Sequence, residues 1–135
     1  FSEDFGNPHS SEHVMGRKAE AAVERARAQV ADLLRADTRE IIFTSGATEA
    51  NNIAIKGAAR FALRYGNERR RIITVAIEHK CVLESVADLG AEGFEPVVLP
   101  VDADGLLDPD RLREALAVPT LLVSVMGVNN EIGVI

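Results

Sequence analysis

The run Ile41-Ile42-Phe43-Thr44-Ser45-Gly46-Ala47-Thr48-Glu49 passes from β-branched and aromatic residues into small hydroxyl-bearing ones and then into a helical pattern. This order predicts a buried strand over 40–44, a glycine turn, and a helix whose first amides have no partner within the helix. The N–H groups of Gly46, Ala47 and Thr48 then converge on one spot, the Thr48 hydroxyl adds a donor, and the helix dipole favours an anion there. A phosphorylated ligand suits such a start. An ordinary turn in which Thr48 caps the helix fits the same residues. No Gly-Lys-Ser/Thr follows the glycine, and the three-glycine dinucleotide fingerprint is missing, so a small phosphorylated cofactor fits better than a nucleotide.

On the N-terminal side, Ala19, Val23, Ala26, Val30 and Leu33 recur at helical spacing and predict an amphipathic helix over 16–34. On the C-terminal side, Ala50, Ile53, Ala54, Gly57 and Phe61 predict the inner face of a helix ending before Gly66. A strand over 71–77 follows, then a short helix carrying Val82, Val86 and Leu89 and stopped by Gly90 or Gly93. The stretch 94–99 reads as a strand that Pro96 confines to an edge or irregular position. Asp108 can cap a helix that begins at Pro109 and carries Leu112, Ala115 and Leu116, and 120–126 returns as an apolar strand. Alternating strands and helices predict an α/β fold with a mainly parallel sheet and flanking helices. Residues 1–15, punctuated by Gly6-Asn7-Pro8, read as an N-terminal loop or interdomain segment, and 16–135 as one layered domain.

The chain has 135 residues, of which 47% are apolar, enough for one domain with a core. It opens at Phe1 without Met and closes just past an apolar strand, so both ends read as cut. The net charge is −6, with acids and bases nearly balanced up to Ile77 and a markedly acidic remainder. The one compact basic run, Arg69-Arg70-Arg71, falls in a turn, which argues against a nucleic-acid surface. No apolar stretch has the length of a membrane span. Cys81 is the sole cysteine, which excludes an internal disulfide framework and fits a reducing compartment.

Glu78-His79-Lys80 follows the strand over 71–77, so His79 falls near the carboxyl edge of the sheet, where α/β folds bind ligands. Its imidazole can lie over a flat ring and exchange protons near neutral pH, or simply finish the strand. Lys80 is adjacent to His79, which does not orient both toward one ligand. Asn129-Asn130-Glu131 stands at the same edge after the last strand. Asn130 can donate to a ring oxygen, although either asparagine also suits a loop cap. His9 and His13 do not converge with His79 in any spacing, and no metal site is expected. Cys81 reads as a small buried residue at the start of a helix rather than a nucleophile.

Four separated stretches occur in the order found in the cysteine desulfurases of the nitrogen-fixation and housekeeping iron–sulfur type. They are Phe5-Gly6-Asn7-Pro8-His9-Ser10, Glu40 through Asn52, Glu78-His79-Lys80, and Val128-Asn129-Asn130-Glu131-Ile132-Gly133-Val134. The chain closely resembles the N-terminal part of that family, about a third of a typical member. The resemblance implies part of the large, cofactor-binding domain of a fold-type I pyridoxal-phosphate enzyme. It implies that Ala47 and Thr48 hold the phosphate, that His79 stacks on the pyridine ring and assists proton transfer as the catalytic residue, and that Asn130 bonds the phenolic oxygen. It further implies a homodimeric transferase that converts L-cysteine to L-alanine and passes sulfur, as an enzyme persulfide, to an iron–sulfur scaffold or another acceptor protein. A cytoplasmic location is favoured, and an organelle matrix is also compatible.

The family's cofactor-bearing lysine, its aspartate at the pyridine nitrogen and its sulfur-accepting cysteine match no position here, and neither Lys80 nor Cys81 substitutes for them. The chain by itself is therefore expected to be catalytically incomplete. Selenocysteine lyase or cysteine sulfinate desulfinase activity is the nearest alternative, and a noncatalytic α/β binding or assembly protein is the alternative of a different class.

Overall fold

A computed structural model describes residues 5–10 and 12–135, so part of the expected N-terminal loop, residues 1–4 and 11, lies outside the described residues. The chain divides into two compact units, 1–43 and 44–135.

In the first unit, α1 spans Val14–Leu34, starting two residues before the expected Gly16. Its buried positions are small, Gly16, Ala19 and Ala31. A methyl group at Gly16 would fall 1.9 Å from the Ser10 carbonyl oxygen, so only glycine lets the preceding loop lie against the helix. A 3-10 turn, Thr38–Glu40, is held by reciprocal bonds: Asp37 Oδ1 accepts the Arg39 N–H at 2.9 Å and Glu40 Oε2 accepts the Asp37 N–H at 2.7 Å. The Arg27 guanidinium donates to the Ile41 carbonyl and lies 5.0 Å from the centre of the Phe43 ring.

The strand expected over 40–44 is absent. Glu40 ends the 3-10 turn, the rest of the stretch is irregular, and Ile42 and Phe43 are exposed. Among the described strands none pairs with it, and β-branched residues form a strand only where a neighbour completes the ladder.

The second unit holds α2 (Ala47–Arg64), β1 (Arg71–Val75), α3 (Lys80–Gly90), β2 (Glu95–Leu99), α4 (Pro109–Ala115) and β3 (Thr120–Val123). The sheet order is β2-β1-β3 and both pairings are parallel, with Arg71 opposite Glu95 and Val75 opposite Leu99, and Ile72 opposite Leu122. Pro96 therefore lies on a strand at one side of the described sheet, as its missing donor requires. β1 and β3 end earlier than the apolar runs that encode them, at Val75 and Val123.

Central β1 is covered on both faces, which accounts for its unbroken apolar run. Ile72 packs with Ile55 and Ala59 of α2 and with Val82, Val86 and Leu89 of α3. Ile73 and Val75 pack with Leu99, and Leu112 and Ala115 of α4 cover that second cluster. Each fully buried isoleucine contributes about 2 kcal/mol of transfer free energy. Leu116, expected on the inner face of α4, is exposed because the helix has ended at Ala115.

The buried face of α2 differs from the expected one. Ile55, Ala59 and Ala62 face inward, whereas Ala50, Ile53, Ala54, Gly57 and Phe61 are exposed. Small Ala59 and Ala62 allow close packing, and Lys56 and Arg60 beside them reach Asp88 at 2.8 Å and Glu92 at 2.6 Å. Phe61 instead packs on Tyr65, ring centres 4.4 Å apart. No helix among the described residues is long and apolar enough to cross a membrane.

Candidate functional site

Three cross-links set the relative direction of α2 and α3: Asn51 to Cys81, Lys56 to Asp88 and Arg60 to Glu92. Both sequence numbers rise together, so the helices run parallel and begin at the same end. α3 follows β1 after a four-residue turn, 76–79, which places that end at the carboxyl edge of the sheet. The loop after β3 is fastened there too, since the Asn129 amide donates to the Ile77 carbonyl at 2.8 Å.

The start of α2 is open. Gly46 is its N-cap, and among the described residues no side chain accepts a hydrogen bond from its first amides. The Thr44 hydroxyl donates to the Gly46 carbonyl at 3.1 Å, so it is not a cap. The Thr48 hydroxyl, exposed, makes no hydrogen bond among the described residues, which rules out the turn in which it caps its own helix. A Cβ at Gly46 would meet nothing within 4 Å, so space stands open before the helix. Glu49, in the first turn, accepts from the Ser45 N–H at 2.6 Å and the Ser45 hydroxyl at 2.8 Å. Those bonds, the backbone one foremost, hold its carboxyl below the ordinary carboxylate range.

The start of α3 is closed by its own residue. His79 is the N-cap, and its Nδ1 accepts the Cys81 N–H at 3.2 Å. The rest of the His79 ring is exposed and lines a cavity of about 280 Å³ together with Glu78, Lys80, Asn129 and Asn130. Lys80 pairs with Glu84 at 3.5 Å on the exposed side of the helix. Cys81 is buried in the core beneath.

Asn129 and Asn130 have separate tasks. Asn129 is buried, donates to Ile77, and accepts from the Glu131 and Ile132 N–H groups at 2.8 and 3.0 Å. Asn130 is exposed on the same cavity, with no hydrogen bond of its side chain among the described residues. The structure thus brings His79 and Asn130 to one cavity. Ala47 and Thr48 stand outside its lining, at the parallel helix start, and are linked to it through Asn51 and Cys81. His9 and His13 are exposed in the other unit, and no cluster of metal-ligating side chains occurs among the described residues. Sequence reasoning gave Asn129 a loop-cap reading, which its bonds to the Glu131 and Ile132 N–H groups match, but missed Glu49, Asn51 and the tie from Asn129 to Ile77. Glu49 had a legible signal, an acid three residues after the N-cap; the other two depend on tertiary contacts.

A parallel α/β layer with an open helix start, an imidazole and an amide along its carboxyl edge is consistent with the large domain of fold-type I pyridoxal-phosphate enzymes. The aminotransferase class-V family model matches residues 1–135. The cysteine desulfurase IscS of Rickettsia felis is 56% identical over 135 residues, covering 100% of this chain and 32% of that protein. Among solved structures, a NifS-like protein superposes with a TM-score of 0.81 at 40% identity, covering 98% of this chain and 35% of the other. SspA in complex with cysteine superposes with a TM-score of 0.76 at 40% identity, covering 96% and 36%. The chain belongs to the class-V aminotransferase family, in its cysteine desulfurase, NifS-like branch. It spans about a third of the length of the relatives it matches.

The residues present fit the cofactor of that class. Among the described residues, unpaired amides and a hydroxyl at the start of α2 match a phosphate dianion, an exposed imidazole ring matches a flat ring, and an unengaged amide matches a ring oxygen.

Proposed function

We propose that residues 16–135 form part of the cofactor-binding large domain of a homodimeric cysteine desulfurase that takes sulfur from L-cysteine and releases L-alanine. The observation that supports it best is the open start of α2 beside the closed start of α3, at one end of the fold. The Ala47 and Thr48 amides, with the Thr48 hydroxyl, would hold the phosphate of pyridoxal phosphate. His79 would stack on its ring, and Asn130 would donate to its phenolic oxygen. Bound there, the cofactor supplies an electron sink for charge developing at the substrate Cα.

His79 then has a second task, holding or moving a proton at Nε2, because Nδ1 is already engaged by the Cys81 N–H. Asn129 fixes the loop that presents Asn130. The lysine that carries the cofactor, the aspartate at its ring nitrogen and the cysteine that takes sulfur as a persulfide belong to other parts of the full-length protein. Lys80, paired with Glu84, and buried Cys81 fill none of these roles. The persulfide passes to an iron–sulfur scaffold or another acceptor protein. A solved relative, SspA, is described in complex with cysteine, which supports the substrate class. The cytoplasm, a reducing compartment, suits a chain whose one thiol stays free.

The test offers L-cysteine, selenocysteine and cysteine sulfinate in competition to the cofactor-loaded full-length protein. Alanine released mainly from cysteine, with an enzyme persulfide seen by mass spectrometry, is the expected result. Release mainly from either other substrate contradicts the specificity, and cofactor binding without turnover contradicts the enzymatic role.

A further inference from the structure

The Cys81 sulfur lies between two polar side chains at the margin of the apolar core. Asn51 Nδ2 donates to it at 3.3 Å, and it stands 3.0 Å from His79 Nδ1, which also accepts the Cys81 N–H at 3.2 Å. Cys81 is 6% exposed. The direction of this chain follows from donor count. An amide nitrogen only donates, so the sulfur accepts on the Asn51 side, and its single hydrogen goes to Nδ1. With a thiol and a backbone N–H both aimed at Nδ1, the neutral imidazole carries its proton on Nε2.

We propose that Asn51 and Cys81 are positioning residues for His79, fixing its ring and its tautomer so that Nε2 is the nitrogen left for chemistry. The proposal rests on the role of His79 given above and adds what sets it. The Cys81 N–H alone anchors one ring atom from one side, whereas the sulfur, tied to α2 through Asn51, ties the ring to the second helix. The helix start proposed to hold phosphate is thereby coupled to the imidazole proposed to cover the ring.

The experiment uses the cofactor-free full-length protein with ¹⁵N-labelled histidine, at alkaline pH where imidazoles are neutral, with the His79 signals assigned by their loss in His79→Gln. Wild type is expected to show a bare Nδ1 and a protonated Nε2. Cys81→Ala removes the thiol but keeps the residue-81 N–H, so both nitrogens are expected to shift part of the way toward the averaged values of exchanging tautomers, and Cys81→Ser, which keeps a donor and an acceptor, to return them. In the cofactor-loaded enzyme, Cys81→Ala is expected to lower kcat about threefold, as one weak hydrogen bond warrants, with recovery in Cys81→Ser. A proton on Nδ1 in wild type, or ring nitrogens unchanged in Cys81→Ala, overturns the proposal. Failure of the desulfurase reading looks different: the tautomer still responds to Cys81→Ala while wild type forms no alanine from cysteine.

Discussion

The two helix starts at the carboxyl edge of the sheet solve one problem in opposite ways. Each has amides with no partner inside its helix. α3 satisfies one with the His79 ring, from within the chain, while α2 begins at a glycine with no side chain among the described residues accepting from its first turn. A fold finishes what it does not need for a ligand. The unfinished start, at the same edge of the sheet as an exposed imidazole and an exposed asparagine, is where binding energy is available, and the closed one is where a ring is held still.

The most severe way to break the contrast is to remove the closed side. His79→Ala takes away the N-cap of α3, costing about 1 kcal/mol of stability, and with it the ring proposed for stacking and proton transfer. Turnover of the full-length enzyme is expected to fall about a hundredfold or more, measured as alanine release under saturating cofactor. A fall below threefold would show that the imidazole only caps the helix.

The contrast is sharpened by closing the open side. In Gly46→Asp a carboxylate reaches the first amides of α2, and the open space around Gly46 admits it without a clash. Cofactor affinity is expected to drop about a hundredfold, near 3 kcal/mol, because a fixed anion takes the phosphate's donors. The melting temperature of the cofactor-free protein is expected to hold or rise, as a new cap should make it.

A smaller effect is expected at the clamp between the two strand ends. Asn129→Ala leaves the Ile77 carbonyl and two loop N–H groups without their partner, at a cost of about 2 kcal/mol, read from denaturant melts. Asn130→Ala is expected to leave stability unchanged and weaken cofactor binding. That split separates a structural asparagine from a binding one.

The smallest effect concerns Glu49, whose carboxyl is held below its ordinary range by the Ser45 N–H and hydroxyl. A lowered folded-state value means the contribution is present above the ordinary carboxylate range and lost as pH falls through the lowered value. A falling protection factor at the Ser45 amide on acidification, after correction for the pH dependence of intrinsic exchange, is the expected signature, and Glu49→Gln is expected to flatten that dependence.

Much of the fold was legible where one local rule decides. Pro109 behind Asp108 marked α4, the apolar run over 71–77 marked a strand, and Pro96 marked an edge or irregular position for the strand that carries it. Reading failed where the deciding fact lay elsewhere in the chain. Ile41-Ile42-Phe43 has strand composition, yet pairing requires a neighbour that composition cannot supply. α2 carries two apolar stripes, and choosing between them needed the positions of Asp88 on α3 and Glu92 in the turn just after it. At the site, residue types at the edge were readable from order along the chain, whereas the division of labour between Asn129 and Asn130, and the link from Asn51 to His79, exist only once three elements meet.

The most direct test of the central claim is residue-resolved amide hydrogen exchange on the full-length protein with pyridoxal phosphate and, separately, with pyridoxal. Protection of the Ala47 and Thr48 amides by the phosphorylated form alone, with the Cys81 amide slow in every state, is the result expected of an open start beside a closed one. Equal protection by both compounds, or protection gained at Cys81 while Ala47 and Thr48 stay fast, would contradict it.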